Sequence, residues 1–210
     1  MSDAGYHVVR IDELDRIPVS HGLEWRPIRR RLGIRAFGIN AYTAEQVGDC
    51  VVEEHSEGSG HEEVYVVVSG LARFTVDGDD FDAPSGTIVY LRDPEVLRSA
   101  VSQEEGTTVL AVGGWPDKAF EPSGWEWPFE AEPLSMAGRH DEAIAVMDAG
   151  LAELGESAPG LYHLARFESR AGRRDDAVDH LRRALELRPD LREPAERDED
   201  LAPLLEGLSD

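Results

Sequence analysis

The residues best suited to chemistry lie in one stretch, EEHSEGSGHEEVYVVVSG, which runs from Glu53 to Gly70. Its first eleven residues hold two histidines and five glutamates, and an apolar run typical of a β-strand follows. Imidazole nitrogens and carboxylate oxygens are the ligands that borderline divalent metals take in proteins. The stretch therefore indicates either a metal site at the mouth of a β-barrel or an acidic loop that holds no ligand.

The alternation of side chains along a strand gives the metal interpretation a geometry. Val51, Glu53 and His55 share one face of a first strand, and His61 shares a face with Glu63 on the next. Two antiparallel strands joined by a loop would bring His55, His61 and Glu63 together inside a barrel. Two imidazoles and one carboxylate would leave coordination positions open for a further ligand. The competing interpretation is a polar barrel mouth in which His–Glu and Arg–Glu pairs satisfy one another without a metal.

The elements that would position these residues are short strands. Between residues 6 and 113, segments rich in Val, Ile, Thr and aromatic residues alternate with turns that contain Gly, Pro and Asp. This spacing predicts an all-β sandwich or barrel. The predicted strands are 7–11, 34–44, 49–55, 63–69, 71–76, 87–92, 97–102 and 107–114.

After residue 135 the pattern is helical and repeats with an offset of 34 residues. AGRHDEAIAVMDAGL begins at Ala137 and AGRRDDAVDHLRRAL begins at Ala171, and the two align without a gap. This period is typical of tetratricopeptide (TPR) repeats, which the region from about 137 to 208 resembles. The second copy is complete, whereas the first retains mainly its second helix. The helices would form either a protein-binding surface or an element of assembly, such as a homodimer contact.

Residues 114–134 separate the two regions. Four prolines and three tryptophans interrupt any periodicity there, which predicts a linker whose tryptophans pack onto the barrel. The predicted organisation is therefore an N-terminal extension at 1–33 that packs on the barrel, a barrel at 34–113, a linker at 114–134 and an all-α, TPR-like domain at 135–210.

Two motifs in the β-rich region resemble those of the cupin superfamily. In the first, Glu63 is followed by six residues and Gly70, and in the second, APSGTIVYLRDPEV places Pro84 and Gly86 as in the family. The chain is thus similar to a single cupin barrel, an all-β fold of jelly-roll type. The stretch RRRLGIRAFGINAYTA is also similar to a group of actinobacterial proteins in which a cupin precedes TPR helices.

The cupin resemblance implies a fourth candidate metal ligand, and it also shows one position at which this chain departs from the family pattern. Cupins commonly hold Fe, Mn, Ni, Zn or Cu, and the place of one family histidine is taken here by Glu57, a fourth candidate ligand. The second motif lacks its metal-binding histidine, and Leu97 or Arg98 stands in that region. A guanidinium there would favour an anionic ligand or an internal salt bridge to Glu53 or Glu63.

Other polar residues on the barrel segments are candidates for lining a ligand site, because barrel mouths often bind small molecules. They are Arg35, Asn40, Tyr42, Tyr65, Tyr90 and Arg98.

The net charge of −22 argues against binding to nucleic acid or to anionic lipid. No run of about 18 apolar residues predicts a membrane span, and the N-terminal residues lack the apolar core of a secretory signal. The single cysteine, Cys50, fits a reducing compartment. We therefore expect a cytoplasmic protein.

Three functions remain open from the sequence. The leading one is a small-molecule-binding cupin whose helices serve assembly or interaction. The second is a metal-dependent enzyme of the dioxygenase or isomerase type that uses His55, His61 and Glu63. The third is a protein-interaction adaptor that acts through its helices. No catalytic residue is assigned, because phosphate-binding loops, dinucleotide fingerprints and nucleophile elbows are missing from the sequence.

Overall fold

The computed structural model describes residues 7–19, 22–57 and 60–208. The chain divides into two compact units, Met1–Glu121 and Pro122–Asp210. The first is rich in strands and the second is helical.

The first unit contains one short helix, one 3₁₀ helix and ten strands within the described residues. The 3₁₀ helix spans Ile11–Glu13 and helix α1 spans Ile28–Leu32. The strands are β1 (Ile17–Pro18), β2 (Leu23–Arg26), β3 (Gly38–Ala44), β4 (Cys50–His55), β5 (Glu62–Ser69), β6 (Leu71–Val76), β7 (Asp79–Pro84), β8 (Ile88–Leu91), β9 (Arg98–Ser102) and β10 (Thr108–Gly114).

The strands form two antiparallel sheets. One has the order β1-β2-β3-β10-β5-β8 and the other has the order β4-β9-β6-β7. From β3 to β10 the chain changes sheet at every connection except the β6–β7 hairpin. Eight strands in two facing four-stranded sheets with this order form a jelly roll. The predicted all-β jelly-roll class is confirmed by this topology.

The core of this unit lies between the sheets. On β5, Tyr65 and Val67 are buried while Val64 and Val66 are only half-buried, as alternation on a strand requires. Phe74 on β6 and Val109 on β10 are also fully buried in the same apolar cluster. The inner face of β5 that carries Tyr65 also carries Glu63, so this carboxylate belongs to the interior face.

The second unit is built from helical hairpins. Helices α2 (Glu126–Met136) and α3 (His140–Leu154) form the first hairpin, and α4 (Ala158–Arg170) and α5 (Arg174–Leu187) form the second. A 3₁₀ helix at Pro189–Leu191, helix α6 (Arg192–Arg197) and a 3₁₀ helix at Ala202–Leu208 follow. The hairpin turns contain Gly138 and Gly172, both at φ 76°. The predicted all-α, TPR-like class of this region is confirmed, and its two copies share the same turn geometry.

The strand predictions need correction at residues 7–10, at β7, and within the predicted extension 1–33, where β1 and β2 were not expected and join the six-stranded sheet. Residues 7–10 are exposed and outside any strand, because the apolar HVVRI run finds no neighbouring strand with which to pair. In contrast, the acidic segment Asp79–Pro84, expected to be mostly turn, forms β7 and pairs with β6 along its length. Its wet face places Asp80 and Asp82 beside Arg73, which stabilises a strand of poor intrinsic propensity.

The segment predicted as a linker is partly helical. Helix α2 begins at Glu126 and completes the first repeat, whose first helix was not expected. Pro128 lies in its first turn, where a missing amide proton costs little. Trp127, one of the tryptophans predicted to pack onto the barrel, lies in the core of the second unit, directly over Gly150.

The described part of the chain contains no helix that is both long and apolar enough to cross a membrane.

Candidate functional site

A polar cluster lies where β4, β5 and β9 meet at one end of the jelly roll. β4 ends at His55 and β9 begins at Arg98, and these two residues are paired in register. Glu63 lies at the start of β5, on the facing sheet. Because consecutive strands change sheet, three segments distant in sequence deliver polar side chains to the same end of the core.

Arg98 is the most deeply buried charged residue of this cluster, with 1% of its side chain exposed. It forms an ion pair with Glu63 and donates from Nε to the Tyr65 hydroxyl at 3.4 Å. Its Nη1 donates at 3.3 Å to the backbone carbonyls of His55, Pro94 and Val96. A guanidinium held by this many acceptors is fixed in position, and its charge is balanced by Glu63.

Glu63 is kept ionised by its neighbours. The Tyr65 hydroxyl donates to the same carboxylate oxygen that faces Arg98, at 2.6 Å. Burial alone would raise the pKa of Glu63, but hydrogen bonds with His55, Tyr65 and Arg98 outweigh it and lower the pKa to about 2. Burial and the Glu63 charge together raise the pKa of Tyr65, so this phenol remains a proton donor.

The orientation of His55 follows from its backbone contact. Its Nδ1 lies 2.7 Å from the carbonyl oxygen of Glu53. Because a carbonyl oxygen only accepts, Nδ1 carries the proton and the neutral ring has its lone pair on Nε2. Burial lowers the pKa of His55, but its hydrogen bonds with Glu63 and Glu53 outweigh this, so the pKa is raised.

Three ligand atoms converge in this cluster. Nε2 of His55 lies 3.8 Å from Oε2 of Glu63 and 3.9 Å from Oε1 of Glu57. One ligand atom from each residue lies within 4.8 Å of the others, and all three side chains are half-buried.

One imidazole and two carboxylates suit a borderline divalent ion such as Fe, Mn or Zn. The hydrogen bonds between the candidate ligands and their neighbours are also those expected around a bound metal. Metal-bound histidines usually donate their other N–H to a backbone carbonyl, as His55 does to Glu53. Ligating carboxylates are themselves hydrogen-bonded, as Glu63 is. The opposing feature is Arg98, whose positive charge offsets one of the two carboxylates.

His61 is not part of this group. It precedes the first residue of β5, so strand alternation does not direct its side chain. Its ring lies 4.5 Å from the ring of Trp115 and 5.8 Å from that of Phe120. Its Nε2 is buried and has no hydrogen-bond partner among the described residues. The structure therefore places the His61 ring in an aromatic cluster, and its nitrogens are not among the ligand atoms that converge from His55, Glu57 and Glu63.

The sequence feature that indicates this aromatic cluster is the glycine pair at the end of β10, on which none of the predictions above depends. A Cβ atom on Gly113 would lie 3.2 Å from both Glu63 and His61, and one on Gly38 would lie 3.0 Å from Phe120. The glycines thus provide the space that His61 and Phe120 occupy. Aromatic residues shortly after a Gly-Gly strand end are the pattern that could have indicated it.

The other candidate lining residues are dispersed. Asn40 lies two strands from Tyr65 in the same row of the sheet, through Ala111, and its Oδ1 is buried without a described partner. Tyr42 is half-buried on the same strand as Asn40. Arg35 is exposed before β3, and Tyr90 is 49% exposed on the edge strand β8. Only Tyr65 and Arg98 contact the cluster directly among these candidates, within the part of the chain described.

Comparison with known proteins adds a family for the helices. Residues 134–195 match the tetratricopeptide repeat family. This match covers α3, α4 and α5, and extends into the end of α2 and into α6. The prediction of TPR-like helices at the C-terminal end is confirmed by it.

Solved cupin structures are similar to part of the chain. An RmlC-like cupin from Shewanella frigidimarina is 18% identical, covers 54% of this chain and 95% of its own, and has a TM-score of 0.42. A predicted oxalate decarboxylase from Thermotoga maritima is 22% identical, with coverages of 51% and 97% and a TM-score of 0.42. KdgF from Halomonas sp. is 15% identical, with coverages of 58% and 99% and a TM-score of 0.44. No curated protein matches the chain.

Proposed function

We propose that the jelly-roll unit binds a divalent metal ion through Nε2 of His55 and the carboxylates of Glu57 and Glu63. The observation that carries the proposal is the convergence of these three ligand atoms within 4.8 Å. A bound divalent ion would supply Lewis acidity and open coordination positions for a small molecule with oxygen or nitrogen donors.

The protein's own residues prepare the ligands. In the neutral ring, the contact of His55 with the Glu53 carbonyl selects the tautomer whose lone pair lies on Nε2, the nitrogen that would bind the cation. Arg98 and Tyr65 hold Glu63 in its charged form and in one orientation. Glu57 follows the end of β4, and its amide donates to the carbonyl of Pro94 at 2.7 Å, which fixes its backbone.

Metal analysis of the full chain, purified without chelators and then titrated with Mn²⁺ or Zn²⁺ in a calorimeter, tests this proposal. Wild type should bind one ion per chain. His55→Ala and Glu57→Gln should each weaken binding by about tenfold or more, as loss of one ligand or its support does. The matched controls are His61→Phe, which retains the aromatic packing, and Glu54→Gln, an exposed neighbour.

Both controls should bind the ion as wild type does. Wild type that takes up no stoichiometric ion would contradict the proposal. Equal losses in His55→Ala and His61→Phe would also contradict it, because His61 lies in the aromatic cluster.

The second candidate is metal-free binding of a small molecule at the same end of the jelly roll. It is favoured by the Arg98–Glu63 ion pair, which balances the buried charge without a metal. His55 Nε2 and Glu57 would then accept hydrogen bonds from a neutral molecule that carries hydroxyl groups. Saturation-transfer NMR with neutral polyols in the presence of EDTA distinguishes the two, because only the metal-free function survives the chelator.

For the tetratricopeptide region we propose a role in assembly or in binding a protein partner. Its support is the family match at 134–195. Light scattering of the full chain and of residues 1–121 tests the assembly role. A full chain that is dimeric and a first unit that is monomeric would support it, whereas equal oligomeric states would not.

A further inference from the structure

The helical unit contains a groove that neither the metal site nor the helical repeat explains. It has a volume of about 660 Å³, which is within the range of sites for small organic ligands. Its walls come from α2, from the end of α3 and from the start of α4. Most of the lining is apolar and aromatic, and includes Trp125, Phe129, Leu151 and Leu154.

One wall of this groove has no side chain where a glycine lies. Gly124 lines it, and a Cβ atom there would meet only the Leu154 side chain, at 3.9 Å. Trp125 and Phe129 form an aromatic pair with ring centroids 5.2 Å apart, and Leu154 is 39% exposed at the rim. Beneath them Trp127 is 2% exposed and packs against Gly150, so the floor is fixed. The groove is therefore a preformed apolar recess with an aromatic wall.

One end of the groove is polar but carries no unbalanced charge. Arg166 forms an ion pair with Glu132 and lies 3.9 Å from Asp198. Its Nε and the Nδ1 of His163 are buried and have no hydrogen-bond partner among the described residues. Burial, followed by the nearby Arg166 charge, lowers the pKa of His163 to about 4, so the imidazole is neutral at ordinary pH.

We propose that this groove binds a neutral, aromatic small molecule whose single polar group lies at the His163–Arg166 end. The aromatic wall favours a flat apolar body. The two unpartnered nitrogens favour a polar atom that can hydrogen-bond to them after a side-chain rotation, because buried polar groups without partners are costly. An anion is disfavoured, since Arg166 is already neutralised by Glu132 and the chain carries a net charge of −22.

Two related fluorescent probes test the proposed ligand chemistry on the full chain. N-phenyl-1-naphthylamine is neutral, and 8-anilino-1-naphthalenesulfonate has the same arylamine body with an added sulfonate. The neutral probe should bind once per chain, and the anionic probe should bind about tenfold more weakly or worse. Equal affinity for the two probes, or no binding of the neutral probe, would overturn the proposal.

A matched pair of leucine variants locates the probe. Leu154→Trp fills the rim of the groove, whereas Leu187→Trp adds the same bulk at a position on α5 that is 41% exposed and does not line the groove. Leu154→Trp should weaken the neutral probe about tenfold because the bound ring and the indole compete for space. Leu187→Trp should leave the affinity within about twofold of wild type. Equal losses of probe affinity in the two variants, or unchanged affinity in Leu154→Trp, would contradict binding of the probe in this groove.

Gly124→Val provides a second way to fill the groove. Far-UV circular dichroism first establishes that each variant keeps the wild-type helix content. If Leu154→Trp loses helix content, Gly124→Val is used in its place. A Cβ atom at position 124 would make only ordinary van der Waals contact, so this variant is expected to fold. It should weaken the neutral probe by about threefold or more. Unchanged affinity in a folded Gly124→Val chain would count against the groove.

Discussion

At the scale of single residues, Arg98 governs the electrostatics of the jelly-roll site. A buried guanidinium is costly to desolvate unless it is paired and hydrogen-bonded. Here Glu63 balances its charge, and the Tyr65 hydroxyl and three backbone carbonyls accept its remaining protons. Arg98 therefore holds the Glu63 carboxylate in place. Because its charge is already paired, it does not offer an unbalanced positive charge to an anionic ligand.

We predict that Arg98→Met destabilises the first unit by roughly 3–5 kcal/mol, because it leaves the Glu63 carboxylate buried without its counter-ion. The double variant Arg98→Met/Glu63→Gln should recover a large part of this loss, since no buried charge then remains. The free energy of unfolding in urea, followed by near-UV circular dichroism, measures both effects.

Arg73 is the control for this prediction. It lies on β6 with 47% of its side chain exposed and pairs with Asp80 and Asp82. Arg73→Met should change the free energy of unfolding by less than about 1 kcal/mol, as is usual for a solvent-screened pair. Similar losses in Arg73→Met and Arg98→Met would contradict the role given to burial.

The sequence predicted some of these contacts and not others. It offered an ion pair of Arg98 with Glu53 or Glu63, and the structure selects Glu63. It also grouped His61 with Glu63, because the two are separated by one residue. Alternation holds only within a strand, however, and β5 begins after His61. The first residue of a strand depends on tertiary contacts, here with Trp115 and Phe120, which a single sequence does not reveal.

At the scale of elements, the turn between β5 and β6 needs a glycine for two reasons. Gly70 has φ 72°, in the left-handed region. A Cβ atom there would also lie 2.5 Å from Oγ1 and 2.8 Å from Cα of Thr107. Thr107 is itself fixed by hydrogen bonds from its hydroxyl to the carbonyls of Leu71 and Glu104, so it cannot easily move.

We predict that Gly70→Ala destabilises the first unit more than Gly78→Ala does. Gly78 has φ 84° but open space around its Cα, so its variant has only the backbone strain of about 1 kcal/mol. Gly70→Ala adds a clash with backbone, and its cost should exceed that of Gly78→Ala by about 1 kcal/mol or more. Thermal unfolding of the two variants measures this difference. Equal losses of stability would contradict the prediction, because they would mean that Thr107 moves aside without cost.

We predict that acid destabilises the second unit because His163, which lies on helix α4, becomes protonated. Its folded pKa of about 4 is lower than its ordinary value of 6.5, so the unfolded chain binds the proton more readily. The stability it contributes is present above pH 6.5 and is lost as the pH falls towards 4, by up to about 3 kcal/mol. Urea unfolding at 222 nm between pH 7 and pH 4 measures the loss.

His163→Phe tests the origin of this acid sensitivity. The variant keeps a ring at the same position but has no group to protonate, so its free energy of unfolding should fall less than that of wild type over the same pH range. Parallel pH profiles of the two chains would assign the acid loss to other groups, such as the His180–Glu168 pair.

Most strands were predictable because one face of each is buried and the other is wet. β7 was missed because its acidic residues are typical of turns and its pairing with β6 supplies the stabilisation. Helix α2 was missed because two prolines and a tryptophan obscure its period, and this Trp127 packs against Gly150 of α3, which is distant in sequence. In both elements tertiary contacts override local preference.

At the scale of the whole molecule, the two units have separate apolar cores. The jelly-roll core includes Val51, Phe74 and Val109, whereas two helical clusters form around Trp127 and Leu181. The 34-residue period indicated one complete repeat and the second helix of another, whereas about three repeats are usually needed for a stable array. Helix α2 changes this estimate, because it completes the first hairpin and contributes Trp127 and Ala131 to a core made within the unit.

We therefore predict that residues 122–210 fold without the jelly roll. A chain of this size can bury enough apolar surface to be stable alone, and the buried residues in both of its clusters come from its own helices and the segments between them. The isolated fragment should show a helical far-UV spectrum and one cooperative thermal transition. A fragment that begins at residue 135 is the matched control, because it lacks Trp127 and most of α2 and should melt at a lower temperature. An unstructured 122–210 fragment, or equal melting of the two fragments, would mean that the helices depend on contacts outside their own hairpins.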